Sequence, residues 1–325
     1  MMESPVLSEK KLEKDENHPL EEPQEPWYAM FLEVIHYREM LYQMVLRDIR
    51  LRYKQTIMGC GWALFTPIMI VLSGCVVKLA MSKLSGIPLD IMVIAAMSVK
   101  AVAWSFFSGS IGSGSGCLIG NINLVTKIYF PREVFPLTCI GTQIFDTFIA
   151  SLILCLLFVI LGMPVTIHWL WIPLLAVELV CLALAVMMLV ACANVFYRDV
   201  KYLVAVVVSF GIFFTPVFYE PEMFGPRGSQ LMMLNPVAPL LEGLRLVTVG
   251  EATPVSSLPS KEGDEAVEEV VYKPISLCQT LYSADGEMLL WTPYYLLYST
   301  IISFGGIFYA WRRFHQLEFI FPEYI

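Results

Sequence analysis

The sequence predicts an all-α integral membrane protein: six transmembrane helices, an N-terminal amphipathic interfacial helix and short extracytoplasmic gate helices. Three observations predict it. Hydrophobic residues make up 57% of the 325-residue chain and charged ones only 15%, whereas an ordinary soluble domain carries about 25% charged residues. Six apolar stretches follow one another from residue 61 onward. Residues 47–67, RDIRLRYKQTIMGCGWALFTP, pass from the basic cluster Arg47, Arg50, Arg52 and Lys54 through Trp62 into a nearly uncharged run ending near Met81. Cations, an interfacial aromatic and then an apolar run mark the cytoplasmic mouth of a membrane span.

The elements follow in order. Residues 1–26 hold eight acidic residues, three lysines and four prolines, too little apolar surface to fold, and read as a disordered acidic cytoplasmic tail. No apolar run with a small-residue cleavage site precedes residue 57, so no signal peptide is expected. Over residues 27–56, Phe31, Val34, Ile35, Met40, Leu41, Met44, Val45 and Ile49 recur at helical spacing against Glu33, Arg38, Arg47 and Arg50. That pattern predicts an amphipathic helix lying in the membrane interface. The spans are then Gly61–Met81, Leu89–Phe107, Leu137–Leu161, Trp169–Cys192, Tyr202–Phe218 and Tyr294–Trp311. The fifth is short and closes on Pro216, as a re-entrant or broken helix would. Six crossings place Arg47–Lys54, Lys127 with Arg132, Arg198 with Lys201, and Arg312 with Arg313 on one side. The other side receives segment 219–292, where eleven acidic residues outnumber four basic ones. This segregation obeys the positive-inside bias and puts both termini in the cytoplasm.

Within 219–292, residues 220–250 keep an apolar periodicity interrupted by Pro221, Pro226 and Pro236, and predict short helices at the outer face. Residues 251–290 are polar and read as a solvated insertion; the run Glu262, Asp264, Glu265, Glu268, Glu269 lacks the ligand spacing of a calcium loop. The run GSIGSGSGCLIG at 109–120 is not a phosphate-binding loop, because no Lys-Ser or Lys-Thr follows and no strand precedes it. Its Ser108, Gly112, Gly116 and Gly120 stand four apart and predict close helix packing. No nucleotide site is therefore expected on this chain. The eight cysteines show no CxxC spacing, and His18, His36, His168 and His315 sit in no metal-spaced or acid-paired motif, so neither a disulfide framework nor a metal site is predicted. In NLVTKIYFPRE, Pro131 is expected to open a helix with Glu133 in its first turn, where the helix dipole favours an acid.

Five segments together carry a resemblance: RDIRLRYKQT with WALFTP, NLVTKIYFPRE, FYRDVKYL with TPVFY, LNPVAPLLEGLR, and WRRFHQLE near the C-terminus. In this order they resemble the permease subunit of type-2 ABC transporters, in the branch that exports polysaccharides and polyol phosphates such as O-antigen, capsule or teichoic acid. The resemblance covers residues 38–250 and 291–325 and makes 57–325 the transmembrane domain. It implies a homodimer of this chain in the bacterial inner membrane with two ABC ATPase subunits, which bind ATP and magnesium, and a lipid-linked glycan as cargo. No catalytic residue, metal or nucleic acid is implied for the chain itself. Arg47, Asp48, Arg50, Arg52, Tyr53 and Lys54, with Asn123, Lys127, Pro131, Arg132 and Glu133, would receive the ATPase stroke, with Arg198, Asp199 and Lys201 nearby. Residues 221–249, including Asn235, Pro236, Glu242 and Arg245, would form gate helices. Trp104, Phe106, Phe107, Phe210, Phe213 and Phe214 are pathway candidates, because an apolar ring suits the C–H face of a sugar.

Charges at membrane depth complete the reading. An ionised group at a helix centre costs about 2.5–3.5 kcal/mol on insertion scales, so Lys100, Asp146 and Glu178 should face protein or water. Lys100 is expected to pair with Asp146 or Glu178, or to line the path and attract an anionic phosphate. The same fold also serves exporters of drugs or small lipids, and an integral-membrane enzyme of glycan or lipid metabolism is the alternative of another class. That alternative lacks a DxD pair or an acid-paired histidine to carry its chemistry.

Overall fold

The computed structural model describes residues 32, 34–54, 56, 59–85, 90–122, 124, 131–163, 165–254, 270–282, 289–318 and 321. The acidic tail, Asn123, Lys127 and the acidic run at 262–269 lie outside the described residues. The fold is mostly helical: α1 Arg38–Tyr53, α2 Trp62–Ser85, α3 Ile91–Ser115, α4 Cys117–Gly120, α5 Val134–Ile160, α6 Trp171–Phe196, α7 Val200–Gly211, α8 Gly225–Met233, α9 Val237–Thr248 and α10 Pro293–Glu318.

Among the described residues four helices, Trp62–Ala80, Ile91–Ser115, Val134–Ile160 and Ile167–Phe196, are long and apolar enough to cross a membrane. The shortest of them has 19 residues, about 28 Å at 1.5 Å per residue, close to the roughly 30 Å hydrocarbon core. α7 has 12 residues, about 18 Å, and cannot cross as a helix by itself. It ends in a tighter turn at Ile212–Phe214, after which Thr215 to Phe218 are buried. α10 has the length to cross but ends in a polar turn containing Arg312, Arg313 and His315.

Local chemistry sets these helices. Asp90 caps α3, its side chain accepting from Met92 N at 3.3 Å. The serines of α3 return their hydroxyls to the helix's own carbonyls, Ser110 to Phe106 O at 2.7 Å and Ser115 to Gly112 O at 2.8 Å. A serine-rich helix thereby buries its polar groups satisfied. α3 and α6 form the centre, α2 and α5 pack on α3, and α10 lies along α6. One face of α5 presents Ile144, Phe148, Leu152, Leu156 and Ile160, four apart and exposed, the stripe expected to meet lipid.

Three expectations change here. The small-residue ladder at Gly112, Gly116 and Gly120 packs on no other element among the described residues: a Cβ at any of them has no neighbour within 4 Å there. Close packing occurs instead at Gly114, where a Cβ would lie 2.0 Å from Met187 Cγ of α6, and at Gly109 against Gln143 of α5. Spacing alone does not say which edge of a helix meets a neighbour, and α3 turns a different one toward α5 and α6. Second, the outer segment is not confined to a surface, since every residue of α9 is buried. Third, the polar segment contains strands: Glu251–Pro254 pairs antiparallel with Val270–Lys273, and Leu281–Tyr282 with Leu289–Trp291. Gly250 makes the first hairpin reachable. It leaves α9 with φ +88°, a left-handed conformation open to glycine, and a Cβ there would lie 2.1 Å from Lys273 C.

Candidate functional site

The basic helix α1 is fastened to α5 at two levels. Val45 of α1 lies against Gly141, where an added Cβ would come within 2.8 Å of Val45 Cγ2. Two turns further on, Arg52 and Tyr53 both donate to the carboxylate of Asp146. Asp146 is 8% exposed, and two donors satisfy a carboxylate that burial would otherwise penalise. Asp146 is thus an anchor for α1, not a partner of Lys100. Arg47 binds Asp48 at 2.8 Å and reaches Asn121 Oδ1 at 3.3 Å, joining α1 to the end of α4. Arg50 and Lys54 stay exposed on the same helix.

The α6–α7 turn carries the exposed residues Arg198, Asp199 and Lys201. A residue missed in the sequence holds it. Asn194, 1% exposed, donates to Ser115 O at 2.8 Å and accepts from Lys201 N at 3.2 Å. One amide therefore joins the ends of α3 and α6 to the start of α7. An asparagine in the last turn of an apolar helix was the available signal.

Pro131 and Glu133 are buried beside the start of α5, which begins at Val134, and Arg132 is half-buried. Glu133 stands at the N-cap position of that helix, one residue before its first turn, and its side chain makes no capping hydrogen bond. Its Oε1 lies 3.0 Å from His315 Nδ1, which also lies 2.9 Å from Glu318 Oε1. His315 is therefore acid-paired, contrary to expectation, because its i+3 neighbour and a residue 182 positions away converge on it. The two carboxylates push the imidazole pKa up to about 10, and burial pushes the Glu133 carboxyl up while its bond to His315 pulls the other way.

At the other end, Lys100 lies nine residues after Ile91, about 14 Å along α3. It pairs with neither Asp146 nor Glu178. Its ammonium donates to Tyr219 O at 3.2 Å and to Glu242 Oε2 at 3.4 Å. Glu242 Oε1 accepts from Arg245 at 2.6 Å, and Arg245 Nη1 donates to Gly250 O at 3.0 Å. Lys100, Glu242 and Arg245 are all at most 5% exposed. Glu178 faces Ser299 and Thr300 of α10 instead.

Asn235 binds Thr215 Oγ1 at 3.2 Å and accepts from Val237 N at 3.1 Å, setting the start of α9. Pro236 O accepts from Ser299 Oγ at 2.9 Å, and Leu234 O from Tyr298 OH at 3.0 Å. α9 is thereby tied to α3, α10 and the buried turn after α7. The aromatic candidates divide. Trp104, Phe106 and Phe107 are buried in the core, with Trp104 and Phe107 rings 5.8 Å apart, whereas Phe210, Phe213 and Phe214 are exposed on and just after α7.

These contacts sort the chain into two ends. One gathers α1, the ends of α3 and α6, and the Glu133–His315 pair; the other gathers α9, Lys100 and the start of α10. Residues 39–248 match the family model described as ABC-2 type transporter. The chain is similar to an O-antigen export system permease protein RfbA of Myxococcus xanthus, 24% identical over 219 residues, which cover 66% of this chain and 82% of that protein. Two proteins of the same description from Klebsiella pneumoniae are 22% and 24% identical, each alignment covering 62% of this chain and 77% of theirs.

Proposed function

This chain belongs to the ABC-2 type transporter family, and from that premise we propose that it is the permease subunit of an ATP-driven exporter of lipid-linked polysaccharide, of the O-antigen type. The named relatives support the cargo class. The division of the fold into a basic end and a gate end supports the working arrangement. Arg47, Arg50, Lys54, Arg198 and Lys201 share one end with α1. An ATPase docked there would push on α1, which passes motion into the bundle through Arg52, Tyr53 and Asp146. The opposite end, where α9 plugs the bundle through Glu242 and Arg245, is the outer gate.

In this reading the chain is a multi-pass protein of the bacterial inner membrane with both termini cytoplasmic. α7 followed by the buried turn at Thr215–Phe218 serves as a broken fifth crossing, and α10 as the sixth. Two copies pair with two ATPase subunits, which hold ATP and magnesium. The exposed Phe210, Phe213 and Phe214 line the glycan path where two copies face each other.

The cargo is tested by deleting the gene in its own host and following both surface polysaccharide and its lipid-linked precursor. The expected result is loss of surface polymer with precursor accumulating inside, restored by the gene in trans. Unchanged surface polymer with altered drug sensitivity would instead mark an exporter of small molecules.

A further inference from the structure

We propose that Glu133, His315 and Glu318 form a binding site for a divalent transition-metal cation of the zinc class, joining the start of α5 to the end of α10. The site rests on three observations unrelated to the cargo. One ligand atom from each residue can be chosen so that all lie within 4.8 Å of one another. The shared imidazole nitrogen already stands 3.0 Å and 2.9 Å from one oxygen of each carboxylate. Two ligands about 2.0–2.1 Å from a tetrahedral zinc are about 3.3 Å apart, so the two imidazole–carboxylate distances need open by only a few tenths of an ångström, and the two carboxylate oxygens, within 4.8 Å of each other, are brought together by the ion.

Glu133 supplies the second observation. It is 2% exposed, and its Oε2 is buried with no hydrogen-bond partner among the described residues. A buried carboxylate oxygen left without a donor is costly, and bidentate binding of Glu133 to a cation at this site would give that oxygen a partner. Charge supplies the third. Two carboxylates facing one site carry a formal charge of −2, which a divalent cation neutralises. The Nδ1 proton leaves to solvent as the metal takes its lone pair, and no oxidation state changes.

Donor type selects the metal. Calcium and magnesium take oxygen ligands, whereas an imidazole nitrogen with carboxylates suits zinc and its neighbours. Three protein ligands leave a fourth position for water or for Glu133 Oε2. The bound ion would brace two helices that the sequence separates by 182 residues.

The test uses the full chain, purified in detergent and stripped with chelator. Zinc chloride is titrated calorimetrically, and cobalt(II) serves as a spectroscopic probe. The expected result is about one ion per chain, a cobalt spectrum without thiolate-to-metal charge transfer, and affinity lowered by roughly tenfold or more in His315→Gln and in Glu318→Gln. No zinc binding by the unaltered chain would overturn the site, as would a thiolate signature. So would unchanged affinity in both variants. The first two readouts stand even if a variant fails to fold.

Discussion

Glu242→Gln is expected to destabilise the detergent-solubilised chain by about 3–5 kcal/mol, the cost of stranding buried charge, measured as a fall in its thermal unfolding midpoint. The side chain keeps its shape, so packing is preserved and the lost charge is what is measured. Lys100 and Arg245 would then share a dry site without the carboxylate that balances them, keeping the carbonyls of Tyr219 and Gly250 among their acceptors. Lys100→Met is the matching control. It leaves Glu242 paired with Arg245 at 2.6 Å, and substitution by an apolar chain of similar length should change stability by no more than about 1 kcal/mol. If the lysine only fastens α9 to α3, Lys100→Met also exports normally. A large loss of export at unchanged stability would assign Lys100 to the cargo path. Equal destabilisation by both variants would contradict the triad as described.

The second large effect concerns Asp146→Ala. Tyr53 loses a hydrogen bond to a charged acceptor, worth about 1.5–3 kcal/mol. Arg52, whose side chain is 38% exposed, adds little because water screens it. A local loss of about 2 kcal/mol corresponds to a roughly thirtyfold shift in the opening equilibrium of α1. Hydrogen exchange across residues 44–54 should accelerate by about that factor, with α3 and α6 unchanged. In the assembled transporter the variant should hydrolyse ATP but export poorly, because the stroke reaches a loosened lever. Unaltered exchange in α1 would remove Asp146 from the coupling route.

The long apolar runs made α2, α3, α5 and α6 readable, since a stretch of that length has few alternatives. The ends shifted by a few residues: the second run closed at Phe107 on paper, yet α3 continues through the glycine–serine run to Ser115. Hydroxyls returned to helix carbonyls explain that continuation, and hydropathy does not register them. Charge partners were not readable. Lys100 meets Glu242 across 142 positions, whereas Asp146 turns to α1. The cost of a buried charge shows that a partner exists, but only the fold shows which. The strands between residues 251 and 291 have no sequence signature, because pieces of two to four residues carry almost no period. The His315–Glu318 spacing was visible, but its meaning depended on Glu133.

A permease of this kind is driven by a separate ATPase, and one purification puts that to the test. The chain is tagged at its C-terminus, extracted from native membranes in mild detergent, and its companions are identified and quantified by mass spectrometry. The expected companion is an ATPase subunit with a Walker motif, in equal amount with the chain. Recovery of the chain alone, in conditions that keep a known ABC exporter intact, would contradict it.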